Sequence, residues 1–245
     1  MNNYKNKGSK NSGIIWIFWW QGYSKMPHIV RKCVDSIRKH SVGHVVKLIT
    51  KNNVKNYVDI PKYIYSKINN GRISLTHFSD ILRFNLLKNY GGLWCDSTLY
   101  CTSNIKSDYF NYLYSSGGYS GIVPKFVKGR WTEFLIGGNK NNSLFIFISN
   151  YLNLYWKNNK YQIDYFLTDL GLYYAYQHNI GNFKNYVDNV ACNNNPNLFK
   201  LVDLLNKPFN KMQYCKLVKN TNMFKLTYKK QFNNNNRTLY NKFFD

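Results

Sequence analysis

Apolar positions along this chain follow two periods. Ile14–Trp20 is an unbroken apolar run, β-branched and aromatic and free of turn residues, which predicts a buried strand. Pro27 suits the first turn of a helix. After it, Ile29, Cys33 and Ile37 recur at four-residue spacing, with Arg31, Lys32, Arg38 and Lys39 toward water, until Gly43 breaks the pattern. Val45–Thr50 is the next strand, and strand, helix, strand in this order predicts a βαβ unit in a parallel sheet. Asn52–Ile60 and Pro61–Asn69 form a turn and a short helix, and Asn70-Gly71 is a turn signal. The helical period returns through Phe78, Ile81, Leu82 and Leu86. Ser74 is placed to cap this helix, and Gly91 or Gly92 to end it, because a left-handed C-cap costs glycine least. Leu93–Cys95 is a short buried strand, and Asp96 falls at its end.

Farther along, Thr98–Thr102 continues as an extended segment and Asp108–Tyr114 is rich in aromatics. Ser115–Gly121 has the composition of a mobile loop, and Ile122–Val127 that of a strand. Ser143 is the expected cap of a helix carrying Leu144, Phe145, Ile148 and Leu152. Ile163, Phe166, Leu167, Leu170 and Tyr174 mark another. On that helix Asp164 and Thr168 share a face and Asp169 lies off it; either carboxylate is a candidate to approach a reacting group. The runs Asn193–Asn195 and Asn233–Asn236 are expected in loops. No internal repeat and no linker divides the chain. The expectation is one α/β domain over residues 13–245 with a helical C-terminal portion, preceded by a disordered tail at 1–12.

Charge narrows the partners. The 245 residues carry 34 Lys+Arg against 11 Asp+Glu, a formal net charge of +23. Nucleic acid, an anionic membrane face and anionic substrates would each suit such a surface. No zinc finger, basic zipper or RNP element is present, so no nucleic-acid partner is expected. A Lys-rich face over Lys200–Lys242 would favour peripheral contact with an anionic inner leaflet, at about 1 kcal/mol per basic residue. The opening residues are polar and basic, and no apolar run approaches the roughly 20 residues of a membrane span. The expected location is the cytoplasm, with peripheral contact at the inner membrane face. Five cysteines without C-x-x-C spacing predict neither a zinc site nor a disulfide framework. Walker, dinucleotide and esterase motifs are missing, which argues against those chemistries. His77 is the one histidine near the candidate site, and packing or hydrogen bonding is its expected role.

The chemistry concentrates in Ser74–Leu99 (SLTHFSDILRFNLLKNYGGLWCDSTL). Asp80 and Arg83 are one helical turn apart, and Asp96 ends a strand, where ligands collect in open α/β sheets. An isolated Asp-x-x-Arg is most simply a surface pair. The whole pattern, S-D-x-x-R-x-x-x-L-x-x-x-G-G-x-x-x-D, is far more restrictive.

Through Ser79, Asp80, Arg83, Leu87, Gly91, Gly92, Trp94 and Asp96 the chain resembles sugar transferases with an SDxxR…GG…DxD signature. Within these it is most similar to the capsular polysaccharide synthesis branch, which is akin to glycosyltransferase family 32. IIWIFWWQG (14–22), YVDIP (57–61), WTEFLIGGNK (131–140) and IDYFLTD (163–169) extend the likeness over residues 13–230. The resemblance implies a GT-A fold, with a mixed, mainly parallel sheet flanked by helices, and a nucleotide-diphosphate sugar as donor. It implies that Asp80, Arg83 and Asp96 are the catalytic group and also contact the donor, with Trp19 stacked on the base and Gln21 and Thr98 beside it. It implies a divalent metal, Mn or Mg, on Asp96. Here the third DxD position is Thr98, and Asp96 alone makes a weak metal site unless phosphate oxygens complete it.

The resemblance implies a hexosyltransferase acting on a cell-surface or capsular polysaccharide or its lipid-linked precursor, with a UDP-sugar as donor and retention at the anomeric carbon. A metal ion, Arg or Lys must stabilise charge on the leaving diphosphate. No nucleophile for a retaining route stands out in the sequence. Two alternatives stay open: a transferase that glycosylates protein, and a basic membrane or nucleic-acid binder without catalysis.

Overall fold

The computed structural model describes residues 13–119, 124–232 and 237–244. The first half follows the hydrophobic pattern: β1 (Ile14–Phe18), α1 (His28–His40), β2 (Val45–Ile49), α2 (Lys62–Asn69), α3 (Leu75–Tyr90), β3 (Gly92–Cys95) and β4 (Leu99–Cys101). Then come β5 (Leu113–Ser115), β6 (Leu135–Gly138), α4 (Ser143–Asn158), α5 (Leu167–Gln177), α6 (Phe183–Asn189), α7 (Lys200–Leu204), α8 (Lys211–Val218), β7 (Met223–Lys225) and α9 (Leu239–Phe244).

Five strands form the central sheet in the order β2-β1-β3-β6-β5. β1 runs parallel to β2 and β3, and β6 runs antiparallel to both of its neighbours. Four strands therefore point one way and only β6 the other. This is the mixed, mainly parallel, helix-flanked sheet expected from the sequence. The side-chain alternation of β1 divides the core. Trp16 and Phe18 pack with α2 to α6 on one face. Ile15 and Ile17 pack with α1 and the C-terminal helices on the other. β4 and β7 pair antiparallel in a separate two-stranded sheet, Leu99 opposite Lys225.

The Ser74 hydroxyl caps α3, accepting from the His77 amide at 3.1 Å. Gly91 and Gly92 end it at φ 67° and 97°. A Cβ on Gly92 would stand 2.4 Å from the Ile14 carbonyl oxygen, and one on Gly91 2.6 Å from the Lys140 amide nitrogen. The double glycine thus does more than stop a helix: it lets β3 enter the sheet directly beside β1.

Several expectations need correction. β1 stops at Phe18, so Trp19 and Trp20 stand beyond the strand. Asn142, not Ser143, caps α4, its side-chain oxygen accepting from the Leu144 amide at 2.9 Å. The strand expected over Ile122–Val127 fails where it is described: the chain turns there, with the Val127 amide bonded to Pro124 O at 2.9 Å. Ser115–Tyr119 is not an open loop, for Ser115 belongs to β5 and Ser115, Ser116 and Tyr119 are buried. α5 begins at Leu167, leaving Ile163 and Asp164 in the exposed turn before it. The tail at 1–12, Ser120–Val123 and Asn233–Asn236 lie outside the described residues.

Candidate active site

The carboxyl ends of β1 and β3 lie side by side, and the residues just beyond them open into two adjoining cavities. β6 runs the opposite way, so its N-terminal approach, Thr132–Phe134, reaches the same edge. The larger cavity, about 550 Å³, is lined by Trp19, Gln21, Ser79, Asp96, Thr98 and a basic rim of Lys225, Lys229 and Lys230. The smaller, about 260 Å³, is lined by His77, Asp80, Arg83, Glu133 and Asp169. Asp96, Tyr165 and Lys225 border both.

α3 is buried on both sides, and this puts Arg83 in the interior, 2% exposed. Such a cation must be paired. Arg83 Nη1 donates to Asp80 Oδ1 at 2.9 Å and to Glu133 Oε2 at 3.1 Å, while Nη2 reaches Asp96 Oδ1 at 3.4 Å. Its guanidinium lies 5.0 Å from the Trp94 ring centroid. Burial opposes its charge, but the three carboxylates outweigh burial and hold its pKa above that of an ordinary arginine.

Asp96 is held on both oxygens. Trp94 Nε1 donates to Oδ1 at 2.9 Å, and Lys225 Nζ donates to Oδ2 at 2.5 Å. Burial disfavours the carboxylate, yet Lys225 and Arg83 prevail and lower its pKa. Asp80 uses its second oxygen on His77 Nδ1 at 3.3 Å. Trp156 Nε1 is a donor only and points at His77 Nε2 at 2.8 Å, which leaves the ring proton on Nδ1, facing Asp80. His77 is therefore a buried brace for Asp80.

Glu133 and Asp169 behave differently. Burial, then the charge of Asp80, pushes the Glu133 pKa well up. Burial likewise raises that of Asp169 to about 6, although Trp131 Nε1 donates to it at 3.0 Å. The site thus sets two cations, Arg83 and Lys225, against the carboxyl groups of Asp80, Asp96 and Glu133, with Asp169 beside them.

The sequence-predicted residues converge. Asp80, Arg83 and Asp96 are in direct contact, and Trp19, Gln21 and Thr98 line the cavity that Asp96 borders. Trp19 stands edge-on to Tyr228, ring centroids 5.6 Å apart, and its buried Nε1 has no hydrogen-bond partner among the described residues. Of the two acids considered near α5, Asp164 is spent on the turn, accepting from the Phe166 amide at 2.7 Å, while Asp169 faces the site. The metal expected on Asp96 meets an obstacle: the Lys225 ammonium occupies the position against Oδ2. Among the described residues no cluster of three His, Cys, Asp or Glu could hold a metal ion.

Sequence reasoning missed three residues. Glu133 lies in a segment already noticed for its resemblance, and its being the chain's single glutamate was the available signal. Lys225 was one lysine among many. Asn195, placed in a loop, is a buried hub: its amide nitrogen donates to Tyr109, Tyr114 and Ser116, and its oxygen accepts from the Asn222 and Met223 amides. It thereby anchors the strand that carries Lys225.

A model of the family described as "Capsular polysaccharide synthesis protein" matches residues 1–243, and the chain belongs to that family. It is also 32% identical over 92 residues to "O-glycosyltransferase braB" of Annulohypoxylon truncatum, a match covering 34% of this chain and 22% of that protein. The chain thus spans about a fifth of the length of that curated relative. Among solved structures, a "PaToxG Glycosyltransferase" superposes at TM-score 0.44 and 13% identity, covering 84% of this chain and 83% of its own. A transferase mutant with two cysteine-to-serine changes superposes at 0.43 and 9%, covering 88% and 94%. These scores are too low for either likeness to decide fold or chemistry.

Proposed function

We propose that this member of the family is a glycosyltransferase. It moves a hexose from a nucleoside-diphosphate sugar, UDP-linked, onto a growing surface polysaccharide or its lipid-linked precursor. One observation carries the proposal: a cavity with an aromatic wall and a basic rim opens, at Asp96, into a second cavity lined with carboxyl groups. A nucleoside diphosphate needs a flat apolar surface and fixed positive charge; a sugar needs hydrogen-bonding carboxylates.

In this reading Trp19 stacks on the base, with Gln21 and Thr98 beside the nucleotide. Asp96 accepts from donor hydroxyls at the junction. Arg83 holds Asp80, Asp96 and Glu133 in one arrangement, and the hexose enters the second cavity toward Glu133 and Asp169. The bond from the anomeric carbon to the diphosphate breaks with its electron pair left on the phosphate oxygen. The acceptor hydroxyl oxygen forms the new bond and passes its proton to the departing phosphate, an arrangement compatible with retention.

The test is transfer from UDP-hexoses to oligosaccharide acceptors. Asp96→Ala and Asp80→Ala, each folded by circular dichroism, should lose transfer at least 100-fold. Full activity in both variants refutes the assignment. No affinity for nucleotide, together with binding to anionic vesicles that falls steeply with salt, would favour a non-catalytic basic binder instead.

A further inference from the structure

The donor set around Asp96 does not suit the divalent ion that the family resemblance implies. Mg and Mn seek several oxygen ligands. Here the next chelating position is a threonine, Asp80 and Glu133 are tied to Arg83, and Asp96 Oδ2 already accepts from an ammonium group. That ammonium is fixed in place. β7 pairs with β4 so that Lys225 lies opposite Leu99, three residues after Asp96. Its Nζ also lies 4.4 Å from the Phe134 ring centroid, a cation–π contact.

Resting on the donor-site reading above, we propose that Lys225 takes the place of the metal. It holds the donor's diphosphate together with Lys229 and Lys230, and nucleotide binding requires no divalent ion. The geometry supplies what the role needs. An ammonium carries three donors; Asp96 takes one, and Lys225 borders the cavity where the others can meet phosphate oxygens. Lys229 and Lys230 line the same cavity and are exposed, so they add charge without a desolvation cost. Asp96 then orients a cation rather than coordinating one. The Lys225 ammonium already fills the position against Asp96 Oδ2, so an ion on that oxygen would have to displace it.

The test is calorimetric titration of UDP into the full chain, in EDTA and again in manganese. Uridine serves as the control that lacks phosphates. Wild type should bind UDP with the same Kd, within about twofold, in both buffers, and uridine far more weakly. Lys225→Met should weaken UDP at least 10-fold in EDTA, while Lys225→Arg stays within a few-fold of wild type. The paired exposed changes Lys229→Ala and Lys230→Ala should weaken it about 3- to 10-fold. This pair supplies the test if Lys225→Met does not fold. UDP binding that appears only with manganese, or that is indifferent to Lys225→Met and to the paired change, overturns the proposal and leaves the donor site standing. Absence of binding by UDP and GDP in either buffer overturns the donor-site reading as well.

Discussion

Two segments face each other across the site, and they were built differently. The stretch from Ser74 to Thr98 is continuous: a cap, a buried helix, two glycines, a strand and a turn bring Asp80, Arg83 and Asp96 together within one segment. The opposing wall, from Asn195 to Lys230, is assembled piecemeal. There a buried asparagine grips the start of β7, β7 pairs with β4, and only then does Lys225 meet Asp96, a residue 129 positions earlier. The first segment is held by the sheet and by helix burial. The second rests on a two-stranded pairing, its own apolar contacts and a hub of side-chain hydrogen bonds, and it should fail more readily and more locally.

The largest effect expected is at the centre of the continuous segment. Arg83→Met leaves Asp80, Asp96 and Glu133 facing one another without their common cation. Breaking a buried pair in this way costs about 3–5 kcal/mol. Urea denaturation should show a loss of that size, and Arg83→Lys should recover part of the stability but little transfer, since an ammonium cannot make the forked contact. An Arg83→Met chain as stable as wild type would show that the carboxylates do not depend on it.

Asn195→Ala probes the opposing wall. It leaves the Asn222 and Met223 amides without acceptors and puts alanine at φ 49°. At roughly 1–3 kcal/mol for an unsatisfied buried group, the loss should be about 2–3 kcal/mol. UDP affinity should fall with it, because Lys225 rides on the strand that Asn195 anchors. Lost stability with unchanged UDP affinity would separate the hub from the site.

The smallest effect depends on pH. Asp169 titrates at about 6 in the folded chain, against about 3.9 in an unfolded one. The folded state binds this proton more tightly, so its contribution to stability falls as pH rises from about 4 to 6 and is level above that. Asp169→Asn keeps an acceptor for Trp131 and removes the titration. Melting curves should show the variant gaining on wild type through that window, by up to about 2 kcal/mol. A pH-independent difference would mean that Asp169 titrates as an ordinary carboxyl.

What the sequence determined by itself is the continuous half. Helix and strand periods, a serine cap and a double glycine are local signals, because each rests on the conformation of neighbouring residues. They located β1, α1, β2, α3 and β3 and placed Asp80, Arg83 and Asp96 at one edge. The apolar pattern sets the start of the helix containing Asp169 four residues too early, since an exposed Ile163 imitates the first apolar position of a helix. The sequence marks Glu133 only as its single glutamate; the roles of Glu133, Asn195 and Lys225 were decided by the tertiary structure. Each acts through a partner distant in the chain, at separations of 50, 28 and 129 residues for Glu133–Arg83, Asn195–Met223 and Lys225–Asp96. A long-range ion pair or hydrogen bond has no period along the chain. In a protein with 34 basic residues, only the β4–β7 register singles out the one lysine that meets the aspartate.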